Sequence, residues 1–181
     1  MLADQHVVVL LTGVMAAGKS TIGALLAGRF PKGVHVRGDT FRRMVVSGQE
    51  DMTDAPSEEA WRQLRLRYRL GATAADAYFE AGFIVVVQDI VLGPLLSEYV
   101  NGIASRPLVV VVLAPRPEVI ARREQHRAKK GYTGGLMPKI LDEALRRATP
   151  RIGLWLDSSD QTPEETVREI LRRAWGEGRV R

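Results

Sequence analysis

An apolar run from Val7 to Leu11 leads into Gly13-Val14-Met15-Ala16-Ala17-Gly18-Lys19-Ser20, with Thr21 and a helical stretch behind it. No other feature limits the fold as strongly. In the pattern G-x-x-x-x-G-K-[ST] the glycines let the backbone wrap tightly, so that its N–H groups converge on anionic oxygens. A helix that begins at that point adds the positive end of its dipole. Lys19 is suited to bridge the β- and γ-phosphates of a nucleotide, and the Ser20 hydroxyl to hold Mg²⁺. The segment Gly13 to Thr21 is therefore expected to bind ATP with Mg²⁺; the bland alternative is a glycine turn that binds nothing.

The rest of the chain repeats the same alternation. His6 to Thr12 reads as a first buried strand, Val34 to Arg37 as a second, and Phe83 to Asp89, Leu108 to Leu113 and Gly153 to Leu156 as three more. These runs are aliphatic and nearly unbroken, as in a parallel sheet covered on both faces. Ile22, Leu25 and Leu26 give the helix after the loop one apolar face. Trp61, Leu64, Tyr68, Ala75 and Phe79 stripe a long helix, and Thr162, Pro163 and Glu165 form a capping box ahead of Val167, Ile170, Leu171, Ala174 and Trp175. The expected fold class is α/β, with three α/β/α layers and a single domain over residues 1–181.

Composition excludes several classes. With no cysteine there is neither a disulfide scaffold nor a thiolate metal site. His6, His35 and His126 show no metal spacing. No apolar run approaches the length that spans a bilayer, and the first residues do not read as a signal peptide, so a cytoplasmic location without membrane partners is expected. The net charge of +5 favours an anionic ligand without singling out nucleic acid. Oligomeric state is not legible.

Two acids and a basic helix carry the remaining chemistry. Asp39 closes the second strand; it is either the group that accepts a proton from an attacking hydroxyl or the cap of the next helix. Asp89 closes the third strand, where an acid holds Mg²⁺ or lies near the substrate; the alternative is an exposed loop acid. Ile90 stands where many ATP-hydrolysing machines carry glutamate, which argues against a motor. Arg122, Arg123 and Arg127 precede a glycine-rich stretch from Lys129 to Gly135. Arg123 and Arg127 share a helix face and suit a charge-stabilising lid over approximately residues 122–138; otherwise they form a solvated basic helix end. Arg62, Arg65 and Arg69 read as a solvated stripe, and Trp61 and Tyr68 as core.

These residues together resemble the adenylate-kinase-like branch of P-loop kinases, and within it the chloramphenicol phosphotransferase-like small-molecule kinases. The resemblance rests on the Gly13–Ser20 loop, Asp39, the strand ending at Asp89, and Arg123-Glu124-Gln125-His126-Arg127. It implies a P-loop fold with strand order 2-3-1-4-5, ATP as donor, Asp39 as general base, and the loop from Asp157 to Gln161 near the adenine. Arg42, three residues after Asp39, is similar to the D-x-x-R pattern of polynucleotide 5′-hydroxyl kinases and adenylylsulfate kinases, where the arginine meets a phosphate on the substrate. The leading expectation is thus phosphoryl transfer to the hydroxyl of a small molecule, an antibiotic or another metabolite. A nucleic-acid end kinase is the first alternative and a non-catalytic nucleotide-binding regulator the second.

Overall fold

The computed structural model of the chain describes residues 2–126 and 138–180. A five-stranded parallel sheet runs through the molecule in the order β2-β3-β1-β4-β5. The strands are β1 Val8–Gly13, β2 Gly33–Arg37, β3 Ile84–Gln88, β4 Leu108–Leu113 and β5 Leu154–Leu156. β1 and β4, inside the sheet, are buried along their whole lengths, which is why their sequences show no polar alternation. The fold class and strand order match the expectation from sequence.

Strand ends shift for identifiable reasons. β1 starts at Val8, where its pairing with β3 and β4 starts. His6 lies outside the ladder, with its ring stacked on Phe79 and hydrogen-bonded to the Phe79 carbonyl. β2 stops at Arg37, because helix α2 (Gly38–Arg43) begins at once. Asp39 consequently sits in the first turn of α2, and Asp89 is the first residue beyond β3.

Helices cover both faces. α1 (Lys19–Ala27) buries Ile22 and Leu26, and the long α3 (Glu58–Glu80) buries Leu64, Tyr68 and Ala75, with Trp61 and Phe79 packed at its margins. Ser57 caps α3 by accepting from the Ala60 N–H. The remaining helices are α4 (Leu95–Gly102), α5 (Pro117–Gln125), α6 (Pro138–Glu143) and α7 (Pro163–Glu177), with a π-helical turn over Ala144–Ala148. The capping box at Thr162 and Glu165 is present in full. Among the described residues, no helix is long and apolar enough to cross a membrane.

Candidate functional site

The turn between β1 and α1 is built to approach a ligand closely. Gly13 has φ +146° and Gly18 φ +97°, conformations that a side chain would oppose. Ala16 adopts φ 59° despite carrying a Cβ, local strain of the kind concentrated at binding loops. The Ala17 N–H donates to the Val14 carbonyl at 3.3 Å, and Lys19 Nζ donates to the same carbonyl at 2.7 Å. Val14 and Ala17 are buried; Met15, Ala16 and Gly18 are half-buried, and Ser20 and Thr21 face solvent. Gly18 stands at the N-cap of α1 with no side-chain cap, so the first-turn N–H groups are not satisfied by a protein side chain there.

Directly beside this loop, the end of β3 sends its last residues to opposite sides of the sheet, as strand geometry requires. Gln88 meets α1, its Nε2 donating to Ser20 Oγ at 3.2 Å. Asp89 meets α3, with Arg67 Nη2 donating to its Oδ1 at 2.7 Å and the Ile90 N–H to the same oxygen at 2.7 Å. Gly38 packs against the second oxygen, Oδ2, so tightly that a Cβ there would collide with it. Thr12 fixes this corner: its hydroxyl donates to the Val91 carbonyl and accepts from the Val91 N–H. Sequence reasoning joined Ser20 to Asp89; in the structure Ser20 meets Gln88, and Asp89 meets Arg67.

The Arg67–Asp89 pair is nearly dry, with the side chains 16% and 5% exposed. Burial pushes the Asp89 carboxyl above its usual range, against the opposing pull of Arg67, the Ile90 N–H and Lys19. On Arg67 burial acts to lower the pKa but is outweighed by Asp89, so the guanidinium holds its proton more firmly than usual; Asp39 adds to that. The pair itself sets Arg67 on α3 in direct contact with Asp89 beyond β3. Sequence reasoning missed Arg67, one arginine among several on α3. The signal was its place three residues after Leu64 and four before Gly71, on the buried face of the helix.

Asp39 is about one-third exposed and lies 3.3 Å from Arg43 Nε and 4.0 Å from Arg42 Nη1. The N-cap position of α2 belongs to Arg37, and no side chain caps it. Arg42 is held chiefly by Asp51, to which both Nε and Nη2 donate. Arg43 also donates to the Asp39 carbonyl at 3.3 Å, so it belongs to the same cluster.

On the other side of the loop a cavity of about 230 Å³ is lined by Gly18, Thr21, Ile22, Arg123, Ser158 and Gln161, among others. Arg123 reaches it from α5 and donates to the Ser158 carbonyl at 2.9 Å. Burial lowers the Arg123 pKa, and neighbouring Arg122 adds to the effect. The Asp157–Gln161 loop is shaped by Asp157, which accepts from the Ser159 N–H, while Ser159 Oγ accepts from the Arg116 N–H. Arg127 and the glycine-rich stretch expected to form the lid lie outside the described residues. An open groove along α7, walled by Asp160, Gln161, Glu165, Arg168, Glu169 and Arg172, is a charged surface that shares Gln161 with this cavity.

The donor chemistry fits Mg²⁺. Among the described residues no group of three or more His, Cys, Asp or Glu could hold a metal by itself. Mg²⁺ is a hard ion that takes one or two protein oxygens and completes its shell with phosphate and water. Ser20, exposed beside the loop, offers one such oxygen, its Oγ.

Solved structures with this architecture include a sugar kinase from Janibacter sp. HTCC2649, 21% identical, covering 91% of this chain and 92% of its own, with a TM-score of 0.69. A gluconokinase from Sinorhizobium meliloti 1021 is 24% identical over 91% of this chain and 89% of its own, with a TM-score of 0.59. The tunicamycin resistance protein of Deinococcus radiodurans is 13% identical over 96% of this chain and 98% of its own, with a TM-score of 0.66. At these identities the likeness is one of fold. No curated protein matches the sequence. A family model described as an AAA domain, AAA_33, matches residues 8–152, from the first strand through the approach to the fifth, and the chain therefore belongs to that P-loop family.

Proposed function

We propose that the chain is an ATP-dependent phosphotransferase that moves the γ-phosphate of ATP to a hydroxyl of a small molecule. The observation that carries this reading is the Gly13–Ser20 loop at the start of α1, with Gly13 and Gly18 at positive φ and Lys19 Nζ folded back onto the loop. Asp39, about one-third exposed in the first turn of α2 at the carboxyl end of β2, is the carboxylate we assign to the acceptor, because ligands bind at the carboxyl ends of the strands in such sheets.

The loop residues Gly13 to Thr21 receive the phosphates, with Lys19 against the β- and γ-oxygens. Arg123, Ser158 and Gln161 form the wall against which the nucleoside packs. Ser20 would hold Mg²⁺, which would supply neutralisation of charge on the phosphates. The acceptor oxygen attacks the γ-phosphorus, the bond to the β,γ-bridging oxygen breaks, and ADP leaves. Asp39 orients the hydroxyl and takes its proton. Asp89 fixes Arg67 at the acceptor side, and Arg127 completes the charge stabilisation from the lid.

The named relatives in fold make sugars, gluconate and tunicamycin reasonable acceptors to try. The resemblance to chloramphenicol phosphotransferase-like enzymes adds antibiotics. A polynucleotide 5′-hydroxyl end is the competing acceptor and rests on Arg42. Because Asp51 already engages Arg42, a small acceptor is the better fit. ADP release should be followed with each of these acceptors and with a 5′-hydroxyl oligonucleotide. Stimulation by a small hydroxyl compound supports the reading. Stimulation by the oligonucleotide alone moves it to an end kinase, and nucleotide binding without turnover on any acceptor moves it to a regulator.

A further inference from the structure

Three polar side chains line up beneath the phosphate cradle, and none of them belongs to the loop motif beyond its serine. Gln88, 4% exposed, reaches from β3 to Ser20 Oγ at 3.2 Å. Behind it lies His35 of β2, whose ring is pressed against α1: a Cβ at Gly23 would stand 2.5 Å from His35 Nε2. Two atoms in this stack, Gln88 Oε1 and His35 Nε2, are buried without a hydrogen bond. Native interiors rarely leave such groups unpaired, because each costs about 1–3 kcal/mol.

Turning the Gln88 carboxamide by 180° gives its oxygen a partner in the Ser20 hydroxyl. The oxygen and nitrogen ends have nearly the same shape, and their assignment follows from the hydrogen-bond network. In the turned orientation Oε1 accepts the proton of the Ser20 hydroxyl, and Nε2 faces the His35 ring. Burial is the largest influence on His35 and lowers its pKa, which favours the neutral ring, whose unprotonated nitrogen can accept. The consequence falls on Ser20. A hydroxyl whose proton is committed to Gln88 turns its lone pairs outward, toward the loop.

We infer that Gln88, backed by His35, is a positioning residue for the metal-binding hydroxyl, holding Ser20 Oγ with its lone pairs aimed at a divalent cation carried by the nucleotide. Asp89 cannot do this work from its own position, since it faces α3 and is tied to Arg67 and the Ile90 N–H. The last two residues of the β3 segment thus divide their roles across the sheet, Gln88 toward nucleotide and cation, Asp89 toward the acceptor. This inference rests on the nucleotide-binding reading of the loop.

The test is calorimetric titration of the intact chain with the β,γ-imido analogue of ATP, once with Mg²⁺ and once with excess EDTA. The quantity read is the ratio of the two affinities. In the wild type Mg²⁺ tightens binding. Gln88→Leu should leave EDTA affinity within about twofold and lower the ratio by about tenfold, the loss of one charge-assisted contact. Gln88→Glu keeps an oxygen at the same place and should restore the ratio. In a Ser20→Ala background, Gln88→Leu should lower it no further, because both changes act through one hydroxyl. Gln88→Met, closer in shape, replaces Gln88→Leu if the latter does not fold. A wild-type ratio in Gln88→Leu or Gln88→Met overturns the inference and leaves the nucleotide site intact. A wild-type chain that binds no analogue in either condition overturns the nucleotide reading and this inference with it.

Discussion

Single side chains divide into those the motif announced and those only the fold could reveal. Lys19 belongs to the first group. Lys19→Ala removes a charge-assisted contact from a buried position, so ATP affinity should fall at least tenfold in a calorimetric titration; unchanged affinity would detach the loop from nucleotide binding. Arg67 belongs to the second group. In a run containing Arg62, Arg65, Arg67 and Arg69, only the spacing from Leu64 and to Gly71 sets Arg67 on the buried face of α3, and its partner Asp89 emerges only in the fold. Its three neighbours behave as the stripe suggests, exposed, with Arg62 and Arg65 paired to Glu59 and Glu98 at the surface. Arg67→Leu leaves a buried carboxylate without its counter-charge, a loss of about 3–5 kcal/mol. Urea unfolding should show a lower midpoint with an unchanged slope, while Arg69→Leu on the exposed face should barely move it.

At the scale of elements, the sequence is most legible where one physical requirement acts alone. β4 occupies the very residues that its unbroken aliphatic run suggests, and α7 begins at its capping box. Thr162→Ala should cost about 1 kcal/mol, visible as a drop in melting temperature. Boundaries blur where tertiary contacts compete: His6 leaves the β1 run to stack on Phe79, and α2 begins so early that Asp39 joins a helix. β2 adds a pH dependence that its sequence does not disclose. His35 has a lowered pKa in the fold, so the unfolded chain binds its proton first as pH falls. Stability should be intact above about 6.5 and decline below it until the folded-state pKa is reached. Glu165 and Glu169, whose pKa values are lowered by the Thr162 N–H and by Arg173 respectively, lose their contributions at still lower pH. Thermal melts from pH 7.5 to 5 should fall less steeply in His35→Leu than in the wild type. Equal slopes would remove His35 as the cause.

For the whole molecule, the α/β layers and five strands were legible from the loop and the aliphatic runs, while the strand order came with the resemblance to adenylate-kinase-like P-loop kinases and is the order the structure has. The proposed nucleotide side could be read as a candidate from the sequence alone, since loop and helix are contiguous in the chain. The proposed acceptor side could not, because its residues come from separate segments, and the Arg67–Asp89 contact forms only when α3 packs on the sheet. That difference explains why ATP is easy to propose and the acceptor is hard. The most direct measurement is the fate of the γ-phosphoryl group, followed by ³²P label from γ-labelled ATP in the presence of a hydroxyl acceptor that stimulates ADP release. The account predicts label on that acceptor as a phosphate ester, formed with Mg²⁺ and reduced about 100-fold or more in Asp39→Asn with ATP affinity retained. Label appearing only as inorganic phosphate, at a rate indifferent to the acceptor and to Asp39, would contradict it.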